Sequence, residues 1–249
     1  MSVMEIIVTE TYEEMSIRGA EIVSDLIKEK TSSGSQCTLG LATGSTPLGL
    51  YRNLIRMNRS GVIDFSVVRT FNLDEYLGLD PSDERSYHSF MRKHLFDHIN
   101  IRAENIHIPE GCSPDPLKTC RKYEETIREA GGVDLQLLGM GGNGHIGFNE
   151  PGSGFDSLTR VVELAPRTIE DNSRFFDSPE EVPEKAVTMG ISTILRARRI
   201  LFLVNGEAKA RALSEALYGP VTEELPASAL RNHPRVTLIC DRRAMPGVR

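Results

Sequence analysis

What this chain lacks narrows the field first. It has no surplus of positive charge. Its formal net charge is −6, so no global attraction draws it to nucleic acid or to an acidic membrane. It has no apolar run long enough to span a bilayer. The opening MSVMEIIVTE lacks the basic and apolar regions of a signal peptide, so the expected location is cytosolic. The four cysteines, Cys37, Cys112, Cys120 and Cys240, form no C-x-x-C pair. That argues against a zinc knuckle or a thioredoxin-type site and for reduced thiols. No G-x-S-x-G elbow is present to anchor a serine-hydrolase triad. His94 and His98 stand four apart in HLFDH, but Leu95 occupies the place where a zinc protease needs Glu. No repeat, low-complexity tract or linker divides the chain. Residues 1–249 therefore read as one domain, long enough to bury a full core.

What is present alternates. Strand-like runs at residues 3–8, 37–42, 66–71, 105–108, 134–140, 158–164, 200–204 and 236–240 are interleaved with helical spacing. The helical stretches fall at residues 11–30, 48–57, 85–98, 116–130, 186–197 and 207–218. This alternation predicts an α/β fold: one doubly wound, mostly parallel sheet with helices on both faces, Rossmann-like.

The stretch around which the rest is organised is residues 134–151, DLQLLGMGGNGHIGFNEP. A short continuous apolar run bounded by turn signals suits a central parallel strand. The glycines that follow permit a tight loop at the strand's C-terminal end, where open α/β sheets bind ligands. That loop carries Asn143, His145, Asn149 and Glu150. Gly139, Gly141 and Gly144 spell the dinucleotide fingerprint G-x-G-x-x-G, but HIGFNEPGSG after them is poor material for the required helix. Pro151 halts any helix there.

Other motifs sit at strand ends. TGSTP, residues 43–47, follows a strand and precedes a helix. Thr46 is placed to cap it, with Pro47 in its first turn, and free amides there would attract an anion. It is not a Walker loop, because Leu50 stands where Lys is needed. FNLDEY, residues 71–76, brings Asp74 and Glu75 just past a strand, where a helix cap, a metal site or a general base are all open readings. Arg174 in NSRFF and Lys209 in NGEAKAR are candidate anion clamps. The polar segment 171–183 is expected to be a mobile flap.

Together LATGSTP, FNLDEYLGL, SYHSFM, GMGGNGHIGFNEPGS and NSRFF resemble the glucosamine-6-phosphate deaminase family, in this order and over most of the chain. The related 6-phosphogluconolactonases share the fold and the glycine-rich stretch but not FNLDEY and GFNEP as written here. The resemblance implies conversion of glucosamine 6-phosphate and water to fructose 6-phosphate and ammonia, with no metal or redox cofactor. It implies that His145 opens the sugar ring, that Glu150 orients the imidazole, and that Asp74 moves a proton from C2 to C1. Glu75 would be structural. Thr43, Gly44, Ser45, Thr46, Arg174 and Lys209 would hold the phosphate.

Two departures follow. Asn143 stands where some members carry Asp. An amide can hold His145 but cannot balance its charge, leaving that to Glu150. Arg160 is kept, but Val162 replaces an expected Lys and the chain ends at Arg249. Activation by N-acetylglucosamine 6-phosphate is therefore not expected, and oligomeric state stays open. The alternatives are a sugar-phosphate lactonase, which needs His145 but has no use for Asp74, and a non-catalytic sugar-phosphate sensor.

Overall fold

The computed structural model describes residues 4–173, 176, 178 and 181–245. Ten strands and seven α-helices alternate in it. Seven strands make a parallel sheet: β1 (Glu5–Thr9), β2 (Cys37–Leu41), β3 (Val68–Asn72), β5 (Ile106–His107), β6 (Leu135–Leu138), β9 (Ile200–Val204) and β10 (Val236–Asp241). Their spatial order is β1-β10-β9-β6-β2-β3-β5, and every neighbouring pair is parallel. Strands β2, β6 and β9 are buried along their whole length, as strands covered on both faces must be.

From β2 the chain winds outward through β3 to β5. It then returns to the other side of β2 and continues through β6 and β9 to β10. Right-handed crossovers, the rule for parallel strands, place helices on opposite faces when the chain winds in opposite directions. Helix α1 (Tyr12–Ser32) packs on α2 (Leu48–Arg59). The first-turn amide of Glu14 donates to the Thr11 hydroxyl at 3.1 Å, capping α1. Met15, Ala20, Val23 and Ile27 line its buried face. Helix α4 (Pro116–Glu129) starts at Asp115, whose carboxylate accepts the Lys118 amide. Between them α3 (Tyr87–His94) begins at a Ser86 cap. Helix α7 (Ala210–Tyr218) precedes β10.

The sequence pattern gives no sign of a second sheet, although one of its three strands falls within the run 158–164 expected as a strand. Strands β4 (Asp74–Tyr76), β8 (Lys185–Thr188) and β7 (Arg160–Glu163) form an antiparallel layer in the order β4-β8-β7. It covers its own apolar cluster of Tyr76, Leu79, Phe148, Leu164 and Ala186. The helix expected over 186–197 is corrected here. Residues 185–188 are strand, and only α6 (Ile191–Leu195) is helical. The break is Gly190, where a Cβ would lie 2.2 Å from the Ser157 carbonyl oxygen. A short apolar run such as AVTM fits either period, and cross-strand pairing decided it. The helix expected through residue 98 also ends early, at His94. His98 sits in the next 3-10 turn, its ring against the Lys93 carbonyl. No helix among the described residues is long and apolar enough to cross a membrane.

At the N-terminal ends of β2 and β6 the buried Asp134 accepts from the Thr38 amide at 2.9 Å. Lys30 and Arg198 each reach the same carboxylate at 2.7 Å. Asp134→Ala is expected to cost about 2–4 kcal/mol, because charge-assisted bonds are lost and an amide is orphaned. Urea denaturation checks this, and an unchanged midpoint would refute the anchoring role.

Candidate active site

The strand order reverses between β2 and β6, so the loops leaving their C-terminal ends diverge and open a crevice. A cavity of about 420 Å³ lies there, a volume typical of small-molecule sites. Thr43, Gly44, Ser45 and Thr46 from the β2 loop line it, together with Gly139, Gly141, His145 and Gly147 from the β6 loop. Asp74, Tyr87, Thr168 and Lys209 complete the wall named here. Asp74 and His145 therefore share one cavity with the TGSTP loop and Lys209. Arg174 lies outside the described residues, as do residues 175, 177, 179 and 180 of the segment expected to form a flap.

Asp74 opens β4, directly after Leu73, whose amide bonds to the Leu41 carbonyl at the end of β2. Its side chain is only 5% exposed. Burial, reinforced by the neighbouring Glu75 charge, pushes its carboxyl up to about 8. Strand alternation turns Glu75 to the opposite side. There its carboxylate accepts the Tyr76, Tyr87 and His88 amides and sits 2.9 Å from His88 Nδ1. Glu75 thus caps the start of α3, the structural role expected for it.

The glycine loop brings backbone where side chains could not fit. A Cβ on Gly141 would lie 2.2 Å from His145 Cε1. Gly147 has φ +56, and its Cβ would press on the Thr188 hydroxyl and face an Asp74 oxygen at 3.4 Å. No helix follows these glycines. The loop closes through a bridge between Ile146 and Asn149. Buried Asn149 then fastens it, donating to the Ile146 and Met189 carbonyls. Arg160 donates to the Asn149 side-chain oxygen at 2.8 Å.

Around His145 the polar groups are nested. Asn143 accepts the His145 amide and donates to Glu150 Oε2 at 2.7 Å. It therefore holds the backbone of His145 rather than the ring. The Thr168 hydroxyl donates to Glu150 Oε1. His145 Nδ1 stands 3.6 Å from the same oxygen, an ion-pair separation too long for a formed hydrogen bond. Burial works against the charged form of Glu150, but His145, Thr168 and Asn143 outweigh it and hold the carboxyl down at about 2. Glu150 is thus an anion throughout the neutral range, placed to balance an imidazolium.

At the other end of the cavity the helix cap differs from the sequence expectation. Helix α2 begins at Leu48, and Pro47 occupies the cap with no side-chain bond. Thr46 instead donates to Asn205 at 2.9 Å, tying this loop to the end of β9. Tyr12 of α1 braces the loop from outside. Its hydroxyl reaches the Ser45 and Thr46 carbonyls and accepts the Gly49 amide. Lys209 ends a 3-10 turn that runs into α7. Tyr12, Thr168 and Asn205 were invisible as site residues in the sequence, because each acts across 18 to 159 positions of chain.

A separate cavity of about 630 Å³ is lined by His88, Arg92, His107, Lys122 and Tyr123 among others. Neither Asp74 nor His145 reaches it, so chemistry rather than size singles out the smaller one. No group of three or more His, Cys, Asp or Glu residues suited to a metal occurs among the described residues.

Residues 10–239 match the family of glucosamine-6-phosphate isomerases/6-phosphogluconolactonase. A glucosamine-6-phosphate deaminase from Thermoanaerobacter pseudethanolicus is 54% identical over 241 residues, 97% of this chain and 94% of that protein. Glucosamine-6-phosphate deaminase 2 of Bacillus subtilis is 50% identical over 243 residues, 97% of this chain and 96% of that one. A solved monomeric glucosamine-6-phosphate deaminase superposes with a TM-score of 0.94 at 47% identity, covering 97% of this chain and 98% of its own. The 6-phosphogluconolactonase of Trypanosoma brucei shares the fold, with a TM-score of 0.78 at 19% identity over 98% of each chain. On this similarity, and on the fold beneath it, the chain belongs to the glucosamine-6-phosphate isomerase/6-phosphogluconolactonase family.

Proposed function

We propose that this protein is an enzyme that converts glucosamine 6-phosphate and water to fructose 6-phosphate and ammonia. The observation that carries the reading is one cavity lined by a buried carboxyl, Asp74, an imidazole, His145, and an anion-binding end built from TGSTP and Lys209. A lactonase would use the imidazole but would have no need of a carbon base.

The phosphate sits against the loop amides of Gly44, Ser45 and Thr46 at the start of α2, where the helix dipole favours an anion. The hydroxyls of Thr43, Ser45 and Thr46 and the ammonium of Lys209 add to that grip. Anchoring one end of the sugar turns the remaining steps into reactions between fixed partners. His145 takes the C1 hydroxyl proton and delivers it to the ring oxygen, giving the open-chain aldehyde. Glu150 stabilises the imidazolium that forms between these transfers, as the acid of a triad does. Asn143 keeps both in register. Asp74 then removes the C2 proton, the C1 oxygen takes up a proton from the neighbouring C2 ammonium of the substrate, and the electron pair makes an enolamine across C1 and C2. Asp74 returns that proton at C1, leaving an imine at C2. Water adds to C2 and ammonia departs. Burial lifts the basicity of Asp74 towards the working range of a general base. The four free cysteines, and a charged substrate that membranes retain, support a cytosolic location.

Purified protein is expected to release ammonia from glucosamine 6-phosphate without added metal, and absence of both products would end the reading. Asp74→Asn should lower kcat by about 10³-fold, the usual scale of a lost general base, with sugar-phosphate binding retained. The same variant should raise the melting temperature at neutral pH. Between the ordinary carboxylate range and about 8 the folded wild type holds a proton that the unfolded chain has lost, so its stability falls as pH rises through that window. Unaltered thermal stability would contradict the burial cost. Lys209→Ala is expected to raise KM about 10- to 100-fold with a smaller effect on kcat, as loss of a charge-assisted contact should. Steady-state kinetics would show it, and an unaffected KM would remove Lys209 from the phosphate site.

A further inference from the structure

The two halves of the proposed phosphate grip come from different strands. The TGSTP loop follows β2, and Lys209 follows β9. Asn205 and Gly206 join them. Thr46 donates to the Asn205 side-chain oxygen at 2.9 Å. One residue on, Gly206 turns the chain out of the sheet with φ +86 and ψ 148, a backbone shape that favours glycine. The Gly206 carbonyl accepts the Lys209 amide at 3.1 Å. The Gly206 N–H donates to Asp241, 2.9 Å from Oδ1 and 3.2 Å from Oδ2.

Asp241 is the last residue of β10 and is only 4% exposed. The ladder between β9 and β10 runs as far as the pair Val204 and Cys240. Beyond that pair the backbone of β9 leaves the sheet, and the Asp241 side chain supplies an acceptor in place of a ladder carbonyl. Its Oδ1 also accepts the Ala244 amide at 2.9 Å, so the turn after β10 fixes the carboxylate from its own side. Asp241 is not part of the cavity wall. It stands behind the turn that carries Lys209.

We propose that Asp241 is a positioning residue for the phosphate end of the site: by holding Gly206 it fixes the base from which Lys209 reaches the anion and keeps Asn205 beside Thr46. The inference rests on the reading of TGSTP and Lys209 as a phosphate grip, and adds what aims that grip.

Two hydrogen bonds in series connect Asp241 to the backbone of Lys209 through a single residue. That residue is a glycine, whose backbone has the widest freedom when nothing holds it. A lysine ammonium rides on a flexible four-carbon stem, so it meets a fixed anion at low entropic cost only if its main chain is fixed. A carboxylate is suited to the task, because bonds from amides to an ionised acceptor are stronger than those to a neutral one. Asparagine at 241 would keep the size and one oxygen. It would also set an N–H₂ donor against the Gly206 N–H, since an amide accepts through its oxygen alone.

The test compares wild type with Asp241→Asn, Gly206→Ala, Lys209→Ala and the double variant Asp241→Asn/Lys209→Ala. A Cβ on Gly206 meets open space, so Gly206→Ala disturbs the backbone angle without a clash and without removing a polar partner. Asp241→Asn and Gly206→Ala should each raise KM for glucosamine 6-phosphate about 5- to 30-fold, the scale of a weakened charge-assisted contact. Their kcat should stay within about 3-fold of wild type, as loss of uniform binding requires. In the Lys209→Ala background, Asp241→Asn should add less than about 2-fold, because a residue acting through another is not additive with it. Effects that multiply independently would overturn the inference. So would a lowered melting temperature with KM unchanged, the mark of a purely structural role. Calorimetric titration with inorganic phosphate reads the same site without turnover. Weaker phosphate binding by Asp241→Asn, absent in the Lys209→Ala background, supports the inference even where wild type releases no ammonia, so the two readings fail separately. Equal phosphate affinity in wild type and Asp241→Asn, or no phosphate binding by wild type, refutes it.

Discussion

A carboxyl group held out of water beside a second carboxylate is the constraint on which the rest of this structure depends. Asp74 is buried and its neighbour Glu75 is more buried still. Two such groups on adjacent residues would repel if both faced one side. The short strand β4 resolves this by turning them apart, one to the cavity and one to the amides at the start of α3. The result is an acid whose proton is held far above the ordinary range, next to another that is fully engaged. This strand forms one edge of the second sheet, held by β8. Pairing of Asp74 with Thr188 and of Tyr76 with Ala186 keeps β4 extended where a loop would let the two carboxylates choose other directions.

The opposite wall follows a different logic. Glu150 is held well down, because an amide, a hydroxyl and an imidazole surround it. Two carboxyl groups in one small region are thus driven in opposite directions, one towards basicity and one towards permanent charge. Such divergence is the physical signature of divided acid–base roles. Asn143 takes part without any charge of its own. It ties the His145 backbone to the Glu150 carboxylate, leaving a single anion to answer the ring.

Main-chain proximity, supplied by glycine, connects these walls. Side chains at Gly141 or Gly147 would strike the His145 ring or the Thr188 hydroxyl. The loop after β6 therefore approaches the cavity as bare backbone, and Asn149 and Arg160 fasten it from behind. The TGSTP end of the cavity is braced just as indirectly. Tyr12 and Asn205 hold the TGSTP loop from two different elements.

The sequence by itself determined the parallel sheet, because a strand such as ILFLV is apolar without interruption, and CTLGL nearly so, and such strands are buried on both faces. It also pointed to the ligand edge and to Asp74, His145, Glu150, the TGSTP loop and Lys209, since each lies in the stretch that follows a strand. Periodicity could not settle AVTM, which served as strand β8 rather than as helix. Nor could it find β4, a strand of three residues whose extension comes from its partner and not from its own composition. Thr168, Tyr12 and Asn205 carry no local mark of their roles. Each is an ordinary helix or loop residue until folding sets it against a distant carboxylate, carbonyl or hydroxyl. Only tertiary structure decided those contacts, because hydrogen bonding and burial depend on what lies within a few ångströms in space, whereas sequence pattern reports neighbours along the chain.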